Sequence, residues 1–125
     1  MEKILIIDDD PDQLLLLQHI LKRHGFLVCT AQNEQEIYAI ISRENPKLIL
    51  MDVLLSGADG RMICRRLKAS SYRNIPVIIF SGHPGAQKNF AEFGADDFMA
   101  KPFFEKTLMK KMSRFVKLDK GEVAG

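Results

Sequence analysis

Lys47-Leu48-Ile49-Leu50-Met51-Asp52 is an apolar run that stops at a carboxylate. An apolar stretch without polar alternation describes a strand covered on both faces, the form strands take in a parallel sheet flanked by helices. The segment that follows, Val53-Leu54-Leu55-Ser56-Gly57, has no helix-starting chemistry, so Asp52 has no cap to make. Lys3-Ile4-Leu5-Ile6-Ile7 repeats the pattern and ends in Asp8 and Asp9, Ser81 closes the run from Pro76 to Phe80, and Lys101 closes a strand-like segment at 97–100. Asp8, Asp9, Asp52, Ser81 and Lys101 are therefore expected at one edge of one sheet.

Outward from that run, short apolar segments alternate with longer helix-patterned ones toward both ends, as in parallel strands joined by crossover helices. Strands are predicted near 3–7, 26–31, 47–51, 76–80 and 97–100. Helix 1 opens at Asp10-Pro11, a capping acid before a proline pre-set for the first turn, and ends before Gly25 with Leu14, Leu17 and Leu21 inward. Helix 2 opens on Asn33 with Glu36 three places on, turns Ile37, Ile40 and Ile41 inward, and stops before Pro46. Helix 3 is expected over about 59–69. Helix 4 is expected over about 84–93, with Pro84 near its start, an Ala86, Phe90 and Phe93 stripe, and Gly94 ending it. Helix 5 is expected over about 103–117 with Leu108, Met112 and Phe115 inward. The expected fold class is α/β: one doubly wound (βα)5 domain over residues 1–118 with helices on both faces of the sheet, and a tail or truncated linker at 119–125.

A chain of 125 residues and 14.2 kDa with 46% apolar residues can bury the core of one domain. The net charge of +2, with acids and bases interleaved, implies neither direct nucleic-acid binding nor a membrane surface and points to a protein partner. No apolar run approaches membrane-spanning length and the first residues lead straight into a strand, so a cytoplasmic chain is expected. Cys29 and Cys64 lack the spacing of a metal or redox pair and read as buried free thiols. His19 and His24 have no metal or acid partner in the sequence and read as solvated. Lys106, Lys110, Lys111, Arg114 and Lys117 read as a solvated face of helix 5.

Three carboxylates converging at one edge repel: two unit charges about 4 Å apart cost roughly 4 kcal/mol at an effective dielectric near 20. Something positive has to live among them. An all-oxygen, strongly negative site suits a hard cation. Mg2+, which takes one or two carboxylates and keeps several waters, fits better than zinc, whose His and Cys ligands are missing. Lys101 adds a second, fixed positive charge. A divalent ion and a lysine beside a carboxylate neutralise an incoming phosphoryl group, so that Asp52 can act as a nucleophile and Ser81 can donate to a phosphoryl oxygen. Such chemistry depends on positioning and charge and needs no histidine base.

The chain resembles the receiver domains of two-component response regulators, the CheY-like, flavodoxin-like family, from Lys3 to about Lys117. The matching pieces are Ile4-Leu5-Ile6-Ile7-Asp8-Asp9-Asp10-Pro11, Leu50-Met51-Asp52 with Gly57 and Asp59-Gly60, Pro76-Val77-Ile78-Ile79-Phe80-Ser81, Gly94-Ala95-Asp96-Asp97-Phe98 and Lys101-Pro102-Phe103. The resemblance implies a five-stranded sheet of order 2-1-3-4-5. It implies Asp52 as phosphoacceptor, Asp9, Asp52 and the backbone carbonyl of Leu54 as direct Mg2+ ligands, and Asp8 acting mainly through the metal's waters. It also implies that Ser81 tracks the phosphoryl group, that Lys101 is the family's site lysine, that Phe98 is an aromatic switch and that Lys101-Pro102 is cis. The implied activity is that of a signalling phosphoacceptor rather than an enzyme. A sensor histidine kinase or phosphotransfer protein supplies the phosphoryl group, and a shifted face of helix 4, strand 5 and helix 5 meets a downstream protein target. A monomer and a phosphorylation-dependent homodimer both fit.

Some positions depart from the family pattern. Ser56 stands where most receivers have proline, so a less rigid loop after Asp52 is expected. The stretch from Ser81 to Lys101 is shorter than usual, which trims helix 4 or the loop before it. Leu54 and His83 occupy positions whose side chains in this family influence acyl-phosphate hydrolysis. Leu54 cannot orient a water, whereas His83 either orients one or caps helix 4 beside Pro84. Two other functions compete. A haloacid-dehalogenase-type phosphohydrolase would use Asp8, with Ser81, Lys101 and Asp96-Asp97 as further parts, but leaves Asp52 unexplained. A pseudo-receiver would fold and bind partners without taking phosphate.

Overall fold

The structure, a computed structural model, describes residues 2–55, 57–83 and 85–118. Ser56, Pro84 and the tail at 119–125, which the sequence reading singles out, lie outside the described residues.

The predicted apolar runs form β1 (Lys3–Ile7), β2 (Leu27–Ala31), β3 (Leu48–Asp52), β6 (Val77–Ser81) and β7 (Asp97–Ala100), all paired in parallel. A two-residue antiparallel ribbon, β4 (Leu54–Leu55) with β5 (Ala58–Asp59), sits in the loop after β3. The sheet order is β2-β1-β3-β6-β7, which is 2-1-3-4-5 when only its own strands are counted, as the resemblance implied. Register aligns the strand ends: Ile7 lies opposite Ala31 and Met51, Asp52 opposite Phe80, and Ser81 opposite Ala100. Residues one step past those ends therefore share an edge.

The helices are α1 (Pro11–Arg23), α2 (Glu34–Glu44), α3 (Gly60–Lys68), α4 (Ala86–Asn89) and α5 (Glu105–Met112), with a 3-10 turn at Phe90–Phe93. Capping follows the sequence: Asp10 accepts the Asp12 amide at 3.0 Å, Asn33 the Glu36 amide at 3.0 Å and Asp59 the Arg61 amide at 2.8 Å. Strand residues alternate between two cores. Ile4, Ile6, Leu50 and Phe80 face Leu17 and Leu21 of α1 and Leu108 and Met112 of α5. Leu5, Ile7, Met51 and Ile79 face Ile37 and Ile41 of α2 and Ile63 and Leu67 of α3. No helix among the described residues is long and apolar enough to cross a membrane.

Helix 4 is shorter than its predicted span: four α-helical residues give way to the 3-10 turn, which Gly94 ends at a φ of 86°. Helix 5 begins at Glu105 and stops at Met112, short of the predicted 117. There Ser113 Oγ donates to the Lys110 carbonyl at 2.6 Å, a side-chain bond that competes with the helical ladder. The chain goes on in turns, and Val116 takes the fully buried place while Phe115 is half-buried.

Three polar expectations are corrected. His24, read as solvated, is half-buried with its Nε2 at 2.7 Å from Glu105, whose other oxygen accepts from Arg23; a packed α1–α5 contact supplies the acid that the sequence kept 81 residues away. Lys111 and Arg114 are not merely solvated: they hold Asp97, at the start of β7, at 3.2 and 3.0 Å. Cys64 is a buried free thiol as expected, whereas Cys29 is only half-buried because β2 is an edge strand.

Candidate functional site

The shared edge assembles what the sequence spread along the chain. Asp8 and Asp9 follow β1, Asp52 ends β3, Ser81 ends β6 and Lys101 follows β7. Carboxylate oxygens of Asp8, Asp9 and Asp52 all lie within 4.8 Å of one another. Lys101 Nζ stands 3.1 Å from Asp52 Oδ2 and 3.8 Å from Asp8 Oδ2, and 4.9 Å from the centre of the buried Phe80 ring. The face of that ring attracts the ammonium and helps hold the half-buried lysine beside the carboxylates.

Asp8 is completely buried. Its Oδ1 accepts the Asp10 amide at 3.0 Å, while its Oδ2 has no hydrogen-bond partner among the described residues. Burial pushes the Asp8 carboxyl up to about 6; the charge of Asp52 adds to the rise, and the Asp10 amide and Lys101 oppose it. Lys101 thus faces Asp8 and Asp52, and among the described residues the buried Asp8 Oδ2 lacks a hydrogen-bond donor. An oxygen-only donor set of three converging carboxylates is what a hard divalent cation prefers, so these residues fit Mg2+.

The main chain around Asp52 is held from two sides. Val53 N donates to the Phe80 carbonyl at 3.3 Å, and Gly60 N donates to the Val53 carbonyl at 2.7 Å. Gly60 also passes so close that a Cβ there would lie 2.0 Å from the Asp52 carbonyl oxygen. This close approach is why Asp59-Gly60 follows Asp52 at that spacing. The sequence reading quoted the pair without seeing this role.

Ser81 is buried, and its Oγ accepts the His83 amide at 2.8 Å. Its carbonyl accepts the Lys101 amide at 2.9 Å, which ties the β6 and β7 loops together beside the cis Lys101-Pro102 bond. Of the two roles open to His83, the structure displays the turn-capping one: its Nδ1 accepts the Gly85 amide at 3.1 Å. Phe98 is buried on β7 and stacks on Phe90 with ring centres 6.0 Å apart. Leu54, two residues past Asp52, turns an exposed side chain outward from β4.

Asp96 and Asp97 are not brought to this site. They stand at the amino end of β7, where Asp96 binds Lys68 at 2.8 Å and the Val77 amide at 2.9 Å, and Asp97 binds Lys111 and Arg114. The phosphohydrolase alternative loses those two parts, because a parallel strand presents its two ends on opposite edges of the sheet. A further residue escaped sequence reading altogether: Arg61, which grips Asp59 and reaches Asn89. Only the Asp59-to-Arg61 spacing hinted at it.

The comparisons with known proteins agree with this geometry. The model of the response regulator receiver domain matches residues 4–113. The chain is 34% identical to protein PilH of Pseudomonas aeruginosa over 116 residues, covering 90% of this chain and 96% of that protein. It is 35% identical to the probable transcriptional regulator ycf27 of Porphyra purpurea over 109 residues, 86% of this chain but 44% of that one, so it spans less than half the length of that relative. Among solved structures, the receiver domain of the sensor histidine kinase PA1611 of Pseudomonas aeruginosa, with a magnesium ion in its active-site cleft, is similar with a TM-score of 0.81 and 26% identity. That match covers 91% of this chain and 96% of that one. From residue 4 to residue 113, then, the chain carries both the pattern and the fold of one family of signalling modules: it is a member of the response regulator receiver domain family.

Proposed function

We propose that the protein is a working phosphoacceptor, and that Asp52 takes a phosphoryl group from a phosphohistidine on a sensor histidine kinase or phosphotransfer protein in the cytoplasm. The observation that carries this reading is the placement of Asp52: its carboxylate sits 3.1 Å from Lys101 Nζ and within 4.8 Å of the Asp8 and Asp9 carboxylates. An Asp52 oxygen attacks phosphorus as the phosphorus–nitrogen bond breaks, and the electron pair leaves with the partner's imidazole. Lys101 neutralises charge on the transferred group, and Ser81 donates its hydroxyl to a phosphoryl oxygen. Asp9, Asp52 and the Leu54 carbonyl would hold Mg2+ directly, with Asp8 acting through its waters. The ion supplies a divalent charge that offsets both the acid cluster and the phosphoryl oxygens.

To reach a phosphoryl oxygen, Ser81 Oγ turns from the His83 amide that it now accepts. Phe98, stacked on Phe90 next to that loop, then shifts, and the face of α4, β7 and α5 presented to a downstream protein changes with it. Mass spectrometry after incubation with acetyl phosphate and Mg2+ tests the proposal. The expected result is one phosphoryl group on Asp52, absent from Asp52→Asn. Label on Asp8 with turnover of phosphate esters would favour the phosphohydrolase, and an unmodified Asp52 would leave a pseudo-receiver.

A further inference from the structure

Helix α4 is four residues long and sends only Ala86 into the core beside α3, and arginines of α3 add polar and ring contacts to that link. Arg61 Nε and Nη2 engage the two oxygens of Asp59 at 3.1 and 2.8 Å, while its Nη1 donates to Asn89 Oδ1 at 3.3 Å. Its guanidinium lies 5.4 Å from the centre of the Phe93 ring. One helical turn on, Arg65 stacks on the same ring at 4.4 Å and donates to the Glu92 carbonyl at 3.2 Å.

Asp59 in turn precedes Gly60, the residue whose Cα is pressed against the Asp52 carbonyl. We propose that Arg61 is a positioning residue that couples the loop of Asp52 to helix α4, as a second path beside the one through Ser81 and Phe98. The proposal rests on Asp52 being the phosphoacceptor. The links from Asp52 through Gly60 and Asp59 to Asn89 are direct contacts or hydrogen bonds, and Phe93 joins by a looser ring contact. A displacement of the Asp52 main chain has to move Gly60, because backbone atoms in contact cannot interpenetrate. Moving Gly60 rotates Asp59, and a two-pronged carboxylate–guanidinium pair transmits that rotation, since its planar fork resists bending. Arg61 is mostly covered, with a side chain 19% exposed, so it has little freedom to absorb the motion. Asn89 and Phe93, which bracket the start and end of the 3-10 turn, receive it.

Backbone amide spectra with Mg2+ and beryllofluoride, a phosphoryl mimic, test the coupling in wild type, Arg61→Ala, Arg61→Lys and Asn89→Ala. In wild type, shifts are expected at Val53, Ser81, Phe98 and Phe90–Phe93. In Arg61→Ala and Asn89→Ala the shifts at Phe90–Phe93 fall to less than half, while those at Val53, Ser81 and Phe98 persist. Arg61→Lys behaves as Arg61→Ala, because an ammonium cannot span Asp59 and Asn89 together. Asn89→Ala leaves the Arg61–Asp59 pair intact and so separates coupling from any local unfolding of α3. Undiminished shifts at Phe90–Phe93 in these variants overturn the coupling alone. A wild-type protein that shifts nowhere near Asp52 overturns the phosphoacceptor reading, and the coupling with it.

Discussion

Gly60 and Asp52 touch through their main chains, and no atom fits between them: a Cβ on Gly60 would stand 2.0 Å from the Asp52 carbonyl oxygen. The contact lets α3 begin directly beneath the proposed phosphoacceptor. The Asp52 carboxylate meets Lys101, which follows the strand on the far side of β6.

Gly60→Ala is therefore expected to cost roughly 2–4 kcal/mol, since the collision is with backbone and no rotamer change relieves it. Urea unfolding measures the loss. The same variant should accept a phosphoryl group from acetyl phosphate more slowly, because the Asp52 main chain has to move to make room.

Asp8 makes stability depend on pH. Its folded-state pKa of about 6 lies above the ordinary 3.8, so the folded chain binds the proton more tightly than the unfolded one. Stability thus falls as pH rises through that window and stays flat above it, a penalty of roughly 2–3 kcal/mol at neutral pH by linkage. In EDTA, Asp8→Asn should melt at a higher temperature than wild type at pH 7, and the advantage should vanish below pH 4. Added Mg2+ should stabilise wild type more than the variant. Equal melting temperatures at pH 7 would contradict the account of Asp8.

Lys101→Met removes the ammonium that faces both Asp52 and Asp8. Removing one preorganised charge-stabilising group from such a site slows chemistry by about 10²-fold, and the rate of Asp52 phosphorylation by a small-molecule donor is the readout. A rate within twofold of wild type would count against the role given to Lys101.

Asp97 is buried, and its two cations are not equal to it in exposure: Arg114 keeps much of its side chain in water. Deleting the acid frees cations that can hydrate, whereas deleting the cations strands a buried charge. Lys111→Ala with Arg114→Ala should therefore cost roughly 2–4 kcal/mol, and Asp97→Asn less. Denaturant titration of both variants gives the comparison.

The strands β1, β3 and β6 were legible because each buries both faces, which leaves an apolar run with a polar residue at or just past its end; Leu48 to Asp52 is the clearest case. The site residues were legible for the same reason, since Asp8, Asp9, Asp52, Ser81 and Lys101 close or directly follow strand runs at one end of the sheet. The extents of helices 4 and 5 were less so. The Ala86, Phe90 and Phe93 stripe fits an α-helix and a 3-10 turn alike, and nothing local reveals that Ser113 turns its hydroxyl back to Lys110.

What the sequence determined alone was the order of strands and helices and the identity of the groups at the strand ends, because both depend on side-chain periodicity and local chemistry. Tertiary structure decided which of those groups meet. It paired His24 with Glu105, Asp97 with Lys111 and Arg114, and Arg61 with Asn89, each across a separation that no local pattern spans. It also set Gly60 against the Asp52 carbonyl, since close packing of main chains follows from how a helix lands on a sheet.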